Sequence, residues 1–139
     1  MPVEDLARRT VVTASPDTDV QDLAATMREE DVGSVVVTEG DEPVGIATDR
    51  DVALRVVADG LDPDGATTAD VMTENPVVVA PEAGFYETAR AMSEHGVRRI
   101  PLVEDDELVG ILTADDLTEL LADESEALAD VIRAQRPPY

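Results

Sequence analysis

Two stretches of the chain hold a hydroxyl and a carboxylate at one separation: Thr48 and Asp51 in Val44-Gly45-Ile46-Ala47-Thr48-Asp49-Arg50-Asp51, and Thr113 and Asp116 in Val109-Gly110-Ile111-Leu112-Thr113-Ala114-Asp115-Asp116. Each runs out of an apolar segment into a helix-like sequence, and two chemistries fit the spacing. A threonine followed three residues later by an acid is a capping box, in which both side chains satisfy the first backbone N–H groups of a helix. A free helix N-terminus also offers N–H donors and a positive dipole end to a phosphate, while a carboxylate one turn in can accept hydrogen bonds from two ribose hydroxyls. Either copy alone reads first as a cap. Hydroxyl and carboxylate together suit a nucleotide.

The elements around both copies repeat as well. A single ungapped shift of 65 positions takes Thr48 onto Thr113 and also aligns Asp5 with Asp70, Val12 with Val77, Pro16 with Pro81, Ala24 with Ala89, Met27 with Met92 and Val32 with Val97. Agreement at so many positions without a gap marks an internal duplication. In each copy a short β-rich run, residues 10–14 or 75–80, leads through a proline turn to an amphipathic helix. In the first helix Val20, Leu23, Ala24 and Met27 recur at helical spacing, and Thr18 to Gln21 has capping-box spacing. Phe85, Ala89 and Met92 repeat the stripe, with Thr88 as its polar exception. Two β-branched runs around an acidic turn then predict a hairpin, and a second helix starts near Asp49 or Ala114. The predicted order per copy is β-α-β-β-α, in the α+β class. Residues 59–65 form an acidic, breaker-rich linker expected to be exposed. Beyond the second motif Leu117, Leu120, Leu121, Leu128, Val131 and Ile132 continue a helical stripe past the end of the repeat, toward Arg133 and Arg136.

Composition narrows the function. Acidic residues outnumber basic ones 32 to 10, for a net charge of −22, and all the basic residues are arginine. Such a surface repels nucleic acid and anionic lipid. With 43% apolar residues in clear periods, the chain folds despite its acidity. The charge suggests adaptation to a salty cytosol, where repulsion between carboxylates is screened over about 3 Å at 1 M salt; on that hypothesis stability falls as salt is withdrawn, and equal stability in low salt would contradict it. There is no Cys, and the apolar runs are far shorter than the roughly 20 residues of a membrane span. Residues 1–5 show no export signal, so a cytoplasmic location and no membrane association are expected. With one His and no Cys, no transition-metal set assembles. His95, beside Gly96, reads as a helix-end residue. No Ser-His-Asp set, P-loop or dinucleotide glycine pattern is present, and the acid clusters read as solvated surface. The reading is not an enzyme, with no cofactor required.

The duplication, the two Thr-to-Asp stretches and Gly96-Val97-Arg98-Arg99-Ile100-Pro101-Leu102-Val103 together resemble a tandem pair of cystathionine-β-synthase (CBS) domains, from about Val3 to Glu124. The resemblance implies two pseudo-symmetric repeats, over residues 1–62 and 63–125, followed by a helical extension and tail over 126–139. It implies two clefts between the repeats that take AMP, ADP, ATP or S-adenosylmethionine. Asp51 and Asp116 would hold ribose, Thr48 and Thr113 would touch ribose or phosphate, and the base would lie near Thr10 and Val12 or Val77. Arg99, with Arg98, would meet phosphate. In the first copy Gly33 and Ser34 align with these arginines and cannot replace their charge-assisted bonds. The expected favoured cleft therefore combines Asp116 with Arg99. The resemblance further implies a homodimer, and an effector partner to receive the signal. Two alternatives stay open: a ligand-free interaction module whose Thr and Asp only cap helices, and an ionic-strength sensor that reads salt through its acids.

Overall fold

In the computed structural model, which describes residues 1–138, the order of elements is β1 (Thr13–Ala14), α1 (Val20–Glu30), β2 (Ser34–Glu39), β3 (Glu42–Thr48), α2 (Asp49–Val52), α3 (Thr68–Val71), β4 (Thr73–Glu74), α4 (Phe85–His95), β5 (Arg99–Glu104), β6 (Glu107–Thr113) and α5 (Ala114–Ala134). A 3-10 turn, Val3–Asp5, precedes β1, and wider π-type turns over Ala53–Ala58 continue α2. The α+β class and both hairpins agree with the periodicity. Val20, Leu23 and Met27 form the buried face of α1, which ends where Asp31 turns left-handed at φ 54°. Gly96, at φ 63°, ends α4 in the same way without the Cβ penalty.

Three local expectations need correction. Residues 10–14 and 75–80 yield only β1 and one parallel bridge from Val79 to Leu102. Pro76 and Pro81 lack the ladder N–H, and Asn75 turns left-handed at φ 52°, so an extended run cannot pair along its length. The capping box from Thr18 to Gln21 does not form. Asp19 is the N-cap with no side-chain bond, because the Thr18 hydroxyl accepts the Ser15 N–H at 3.3 Å inside the preceding turn. The short helix α3 was not expected, and it is capped by Thr67 and Asp70. Thr88 is buried but satisfied, donating to the Gly84 carbonyl at 2.9 Å.

The decisive feature of the packing is an exchange of the segments that lead into each repeat. Val3, Leu6 and Ala7 pack in the second core with Ile100, Leu102 and Leu112, whereas Ala66, Val71 and Met72 pack in the first with Leu23, Val35 and Val37. Backbone bonds follow the same rule: Val3 N–H donates to Ala83 O at 2.9 Å, and its counterpart Thr68 donates to Thr18 O at 2.8 Å. Arg8 bridges Ile111 on β6, and Thr73 on β4 pairs with Ile46 on β3. Each of these pairs maps onto the other under the 65-position shift. Strand order is thus β1-β2-β3-β4 in one sheet and β5-β6 in the other.

The crossing explains the glycine in each Val-Gly-Ile. A Cβ on Gly45 would lie 2.6 Å from Met72 Sδ and 3.0 Å from the Thr73 carbonyl oxygen, and one on Gly110 would lie 3.2 Å from the Arg8 carbonyl oxygen. The exchanged backbone needs that space. Residues 59–65, which carry the chain between the repeats, are exposed throughout. Helix α5 buries Leu117 and then leaves the body: Leu121, Leu128, Val131 and Ile132 are between 53% and 69% exposed. No helix of the described residues is long and apolar enough to cross a membrane.

Candidate functional site

The Thr-to-Asp stretches fold as capping boxes in both copies. Thr48 Oγ1 accepts the Asp51 N–H at 3.0 Å and Asp51 Oδ2 accepts the Thr48 N–H at 2.9 Å; in the second copy the distances are 3.2 and 2.9 Å. The box uses one carboxylate oxygen of each aspartate. Among the described residues Asp51 Oδ1 receives no protein donor, whereas Asp116 Oδ1 lies 3.6 Å from Arg8 Nη2. Identical local chemistry therefore leaves two different carboxylates.

A cavity of about 570 Å³ lies in front of the first copy, within the range of small-molecule sites. Thr48, Asp49, Arg50 and Asp51 line it from the first repeat, and His95, Gly96, Val97, Arg98 and Arg99 from the second. Ile46, Pro76 and Val77 supply apolar wall, with Thr73 and Asn75 beside them. The exchanged lead-in delivers residues 73–77, since pairing of Thr73 with Ile46 and a 3.3 Å bond from Asn75 N–H to Val44 O hold this segment against β3. Arg99 reaches across the repeats: a Cβ placed on Gly33 would lie 3.5 Å from its Nη2. The guanidinium therefore lies beside Gly33 of the first repeat, as does the Asp49 carboxylate, whose Oδ2 would stand 3.3 Å from the same Cβ.

The electrostatics of the cavity stand out against the chain. Despite the large excess of acids, neither Arg50 nor Arg99 forms an ion pair among the described residues, while Arg98 faces Asp115 at 3.3 Å. Two guanidiniums without ion pairs line the cavity together with the outward oxygen of Asp51 and the carboxylate of Asp49, so it offers both charge-assisted donors and acceptors. A larger, open depression of about 680 Å³, along residues 13–18 and 38–40, holds neither an arginine nor a Thr-to-Asp motif. No group of three His, Cys, Asp or Glu side chains among the described residues is placed to hold a metal ion.

Of the residues expected to bind, Thr48, Asp51, Val77, Arg98 and Arg99 come together on this cavity. Thr10, Val12, Thr113 and Asp116 do not line it; Thr10 is exposed and Val12 packs against the first core. The expected union of Asp116 with Arg99 is corrected to Asp51 with Arg99. The arginines of one repeat meet the motif of the other across the pseudo-twofold, a relation that aligning the repeats cannot reveal. Ile46, Thr73 and Val97 were not anticipated as lining, although their alignment with Ile111, Arg8 and Val32 would have marked them once the exchange was known. His95 ends α4, its Nδ1 3.0 Å from the Ala91 carbonyl oxygen, and its ring borders the cavity.

The sequence profile of the CBS domain matches twice, at residues 3–58 and 69–123. The chain belongs to the CBS domain family. As a tandem CBS pair it is a regulatory module by family, and the two matches coincide with the duplicated units. An uncharacterized protein of Methanopyrus kandleri is 39% identical over 120 residues, covering 85% of this chain and 61% of that protein. This chain therefore spans less than two thirds of that relative. The CBS domain-containing protein YhcV of Bacillus subtilis is 36% identical over 116 residues, covering 83% and 81% of the two chains. Among solved structures, the CBS domain pair of protein MJ0100, in complex with 5′-methylthioadenosine and S-adenosyl-L-methionine, superposes with a TM-score of 0.77 over 87% of this chain and 99% of that one. At 22% identity that likeness concerns the fold.

Proposed function

We propose that this CBS pair is a non-enzymatic sensor of phosphorylated adenosine compounds, with its site in the cavity between Asp51 and Arg99. The observation that carries the reading is the meeting, in one cavity, of a carboxylate oxygen left free by its capping box and two guanidiniums without acidic partners. Ribose hydroxyls donate to Asp51 Oδ1, the base lies along Ile46, Pro76, Val77 and Val97, and phosphate meets Arg99 and Arg50. The adenosine compounds bound by the MJ0100 pair support the choice of nucleoside. Because Asp51 and Arg99 belong to different repeats, a ligand holding both favours the arrangement that brings them together, and that difference in affinity is the signal. The module then works in the cytoplasm, where an effector protein reads the shift.

The test is Arg99→Ala. Charge-assisted hydrogen bonds contribute about 1.5–3 kcal/mol, so calorimetric AMP affinity should fall roughly 10- to 100-fold while adenosine affinity stays nearly constant. Unchanged AMP affinity would remove Arg99 from the site.

We further infer that α5 pairs with α5 of a second copy. Four large apolar side chains exposed on one helix call for a partner. Leu121, Leu128, Val131 and Ile132 recur at i, i+7, i+10 and i+11 and so form one stripe of the helix, which the same stripe of a second copy can cover. Light scattering of the double substitution Leu128→Glu and Ile132→Glu should report half the wild-type mass; an unchanged dimer mass would rule out this interface.

A further inference from the structure

The second copy keeps the Thr-to-Asp motif and the apolar residues Ile111, Val12 and Val32, but it differs from the open cavity in the charged groups around them. We propose that Arg8 blocks the second cleft, making this CBS pair a one-site module. The inference rests on the proposed use of Asp51, since Asp116 is the equivalent residue. Asp116 Oδ2 is taken by the Thr113 N–H at 2.9 Å and Oδ1 faces Arg8 Nη2 at 3.6 Å, with the Asp116 side chain only 11% exposed. Asp116 Oδ1 thus has a guanidinium within ion-pair range, whereas Asp51 Oδ1 has no protein donor among the described residues.

The position of Arg8 follows from the exchanged lead-in. Its N–H donates to Ile111 O and its carbonyl accepts the Ile111 N–H, both at 3.0 Å, so its Cα is fixed beside the second motif. The residue in the corresponding place at the open cavity is Thr73, too short to reach a carboxylate and uncharged. At this position the difference between Arg8 and Thr73 separates a carboxylate that faces a guanidinium from one that does not.

The rest of the second cleft disfavours a phosphate. Where the open cavity has His95, Gly96, Arg98 and Arg99, the shift of 65 places Glu30, Asp31, Gly33 and Ser34. The backbone supports the equivalence: Asp31 and Gly96 are both left-handed C-caps, and Asp49 N–H bonds Gly33 O as Ala114 N–H bonds Arg98 O. Uncharged Gly33 and Ser34 occupy the counterpart of the arginines, with the acids Glu30 and Asp31 next to them, so removing Arg8 opens the cleft to an uncharged nucleoside and not to a nucleotide.

Calorimetric titration of the whole chain and of Arg8→Thr, with adenosine and with AMP, tests this. The Arg8 side chain is 71% exposed and its backbone pairing needs no side chain, so the variant should fold, which a thermal melt verifies. Expected are one site per chain for both probes in the wild type, and in Arg8→Thr two sites for adenosine with one for AMP. Two sites in the wild type, one adenosine site in Arg8→Thr, or loss of a site in the variant would each overturn the proposal. Absence of binding in both proteins would overturn the sensor function, and this inference with it. Should Arg8→Thr melt early, Arg8→Lys supplies the comparison: a retained cation predicts one site, and two sites would contradict the block.

Discussion

Asp51→Ala abolishes measurable binding of adenosine compounds, and Asp116→Ala leaves it within about twofold. Each substitution removes the same half of a capping box, the bond from the threonine N–H to the carboxylate at 2.9 Å, so their shared effect on the helix start cancels in the comparison. That shared cost, one hydrogen bond to a carboxylate, is about 1.5–3 kcal/mol of stability. What differs is the remaining carboxylate oxygen, free on the cavity at Asp51 and facing Arg8 at Asp116. Two ribose hydroxyls bonded to a carboxylate contribute about 1.5–3 kcal/mol each, so losing both lowers affinity by at least roughly 100-fold. Equal losses in the two variants, read by calorimetry, would return both motifs to the role of helix caps alone.

Gly45→Val carries the largest expected cost to the fold. The added Cβ would stand 2.6 Å from Met72 Sδ and 3.0 Å from the Thr73 carbonyl oxygen. The thioether can swing aside, but the carbonyl belongs to the backbone of β4 and moves only if β4 leaves β3. Overpacking of this kind costs about 1–3 kcal/mol, which for a chain of this size lowers the melting temperature by roughly 5–10 °C. Because β4 leads into residues 75–77 of the cavity wall, ligand affinity falls with it. Gly65→Ala, with nothing within 4 Å of the new Cβ, is the control and should melt within about a degree of the wild type. A Gly45→Val protein as stable as that control would show that the exchanged strand does not need this space.

Much of the architecture was legible because it rests on short-range regularities. Val20, Leu23 and Met27 declare a helix face, the β-branched runs flanking acidic turns declare hairpins, and one constant shift declares a duplication. Thr48 and Asp51 were legible as a cap or a ligand site, and both readings survive, since the box consumes only one carboxylate oxygen. What the repeat could not convey is whether a lead-in packs with its own repeat or with the other. The residue pattern is identical in the two cases: a lead-in residue such as Val3, fully buried here, does not say in which core it lies, and only tertiary packing decides. The expected pairing of Asp116 with Arg99 failed at that point. The consequence of Arg8 was hidden for the same reason, as its contact with Asp116 depends on the exchanged segment lying along β6.

The same physics accounts for the inequality of the two clefts. The capping geometry is equal to within a few tenths of an ångström, so local structure does not distinguish them. The difference comes from side chains delivered by the other repeat: Arg98 and Arg99 to the first motif, and Arg8 with an acidic α1 terminus to the second. Duplication supplies two equivalent frames, and a handful of substitutions at their junction makes them unequal.

The central claim, a phosphorylated adenosine compound held between Asp51 and Arg99, is tested most directly by a crystal structure of the protein grown with AMP. The account predicts ribose hydroxyls on Asp51 Oδ1, phosphate at the Arg99 guanidinium and no nucleotide at Asp116. Nucleotide bound at Asp116 with the Asp51 cavity empty, or neither site occupied at saturating AMP, would contradict it.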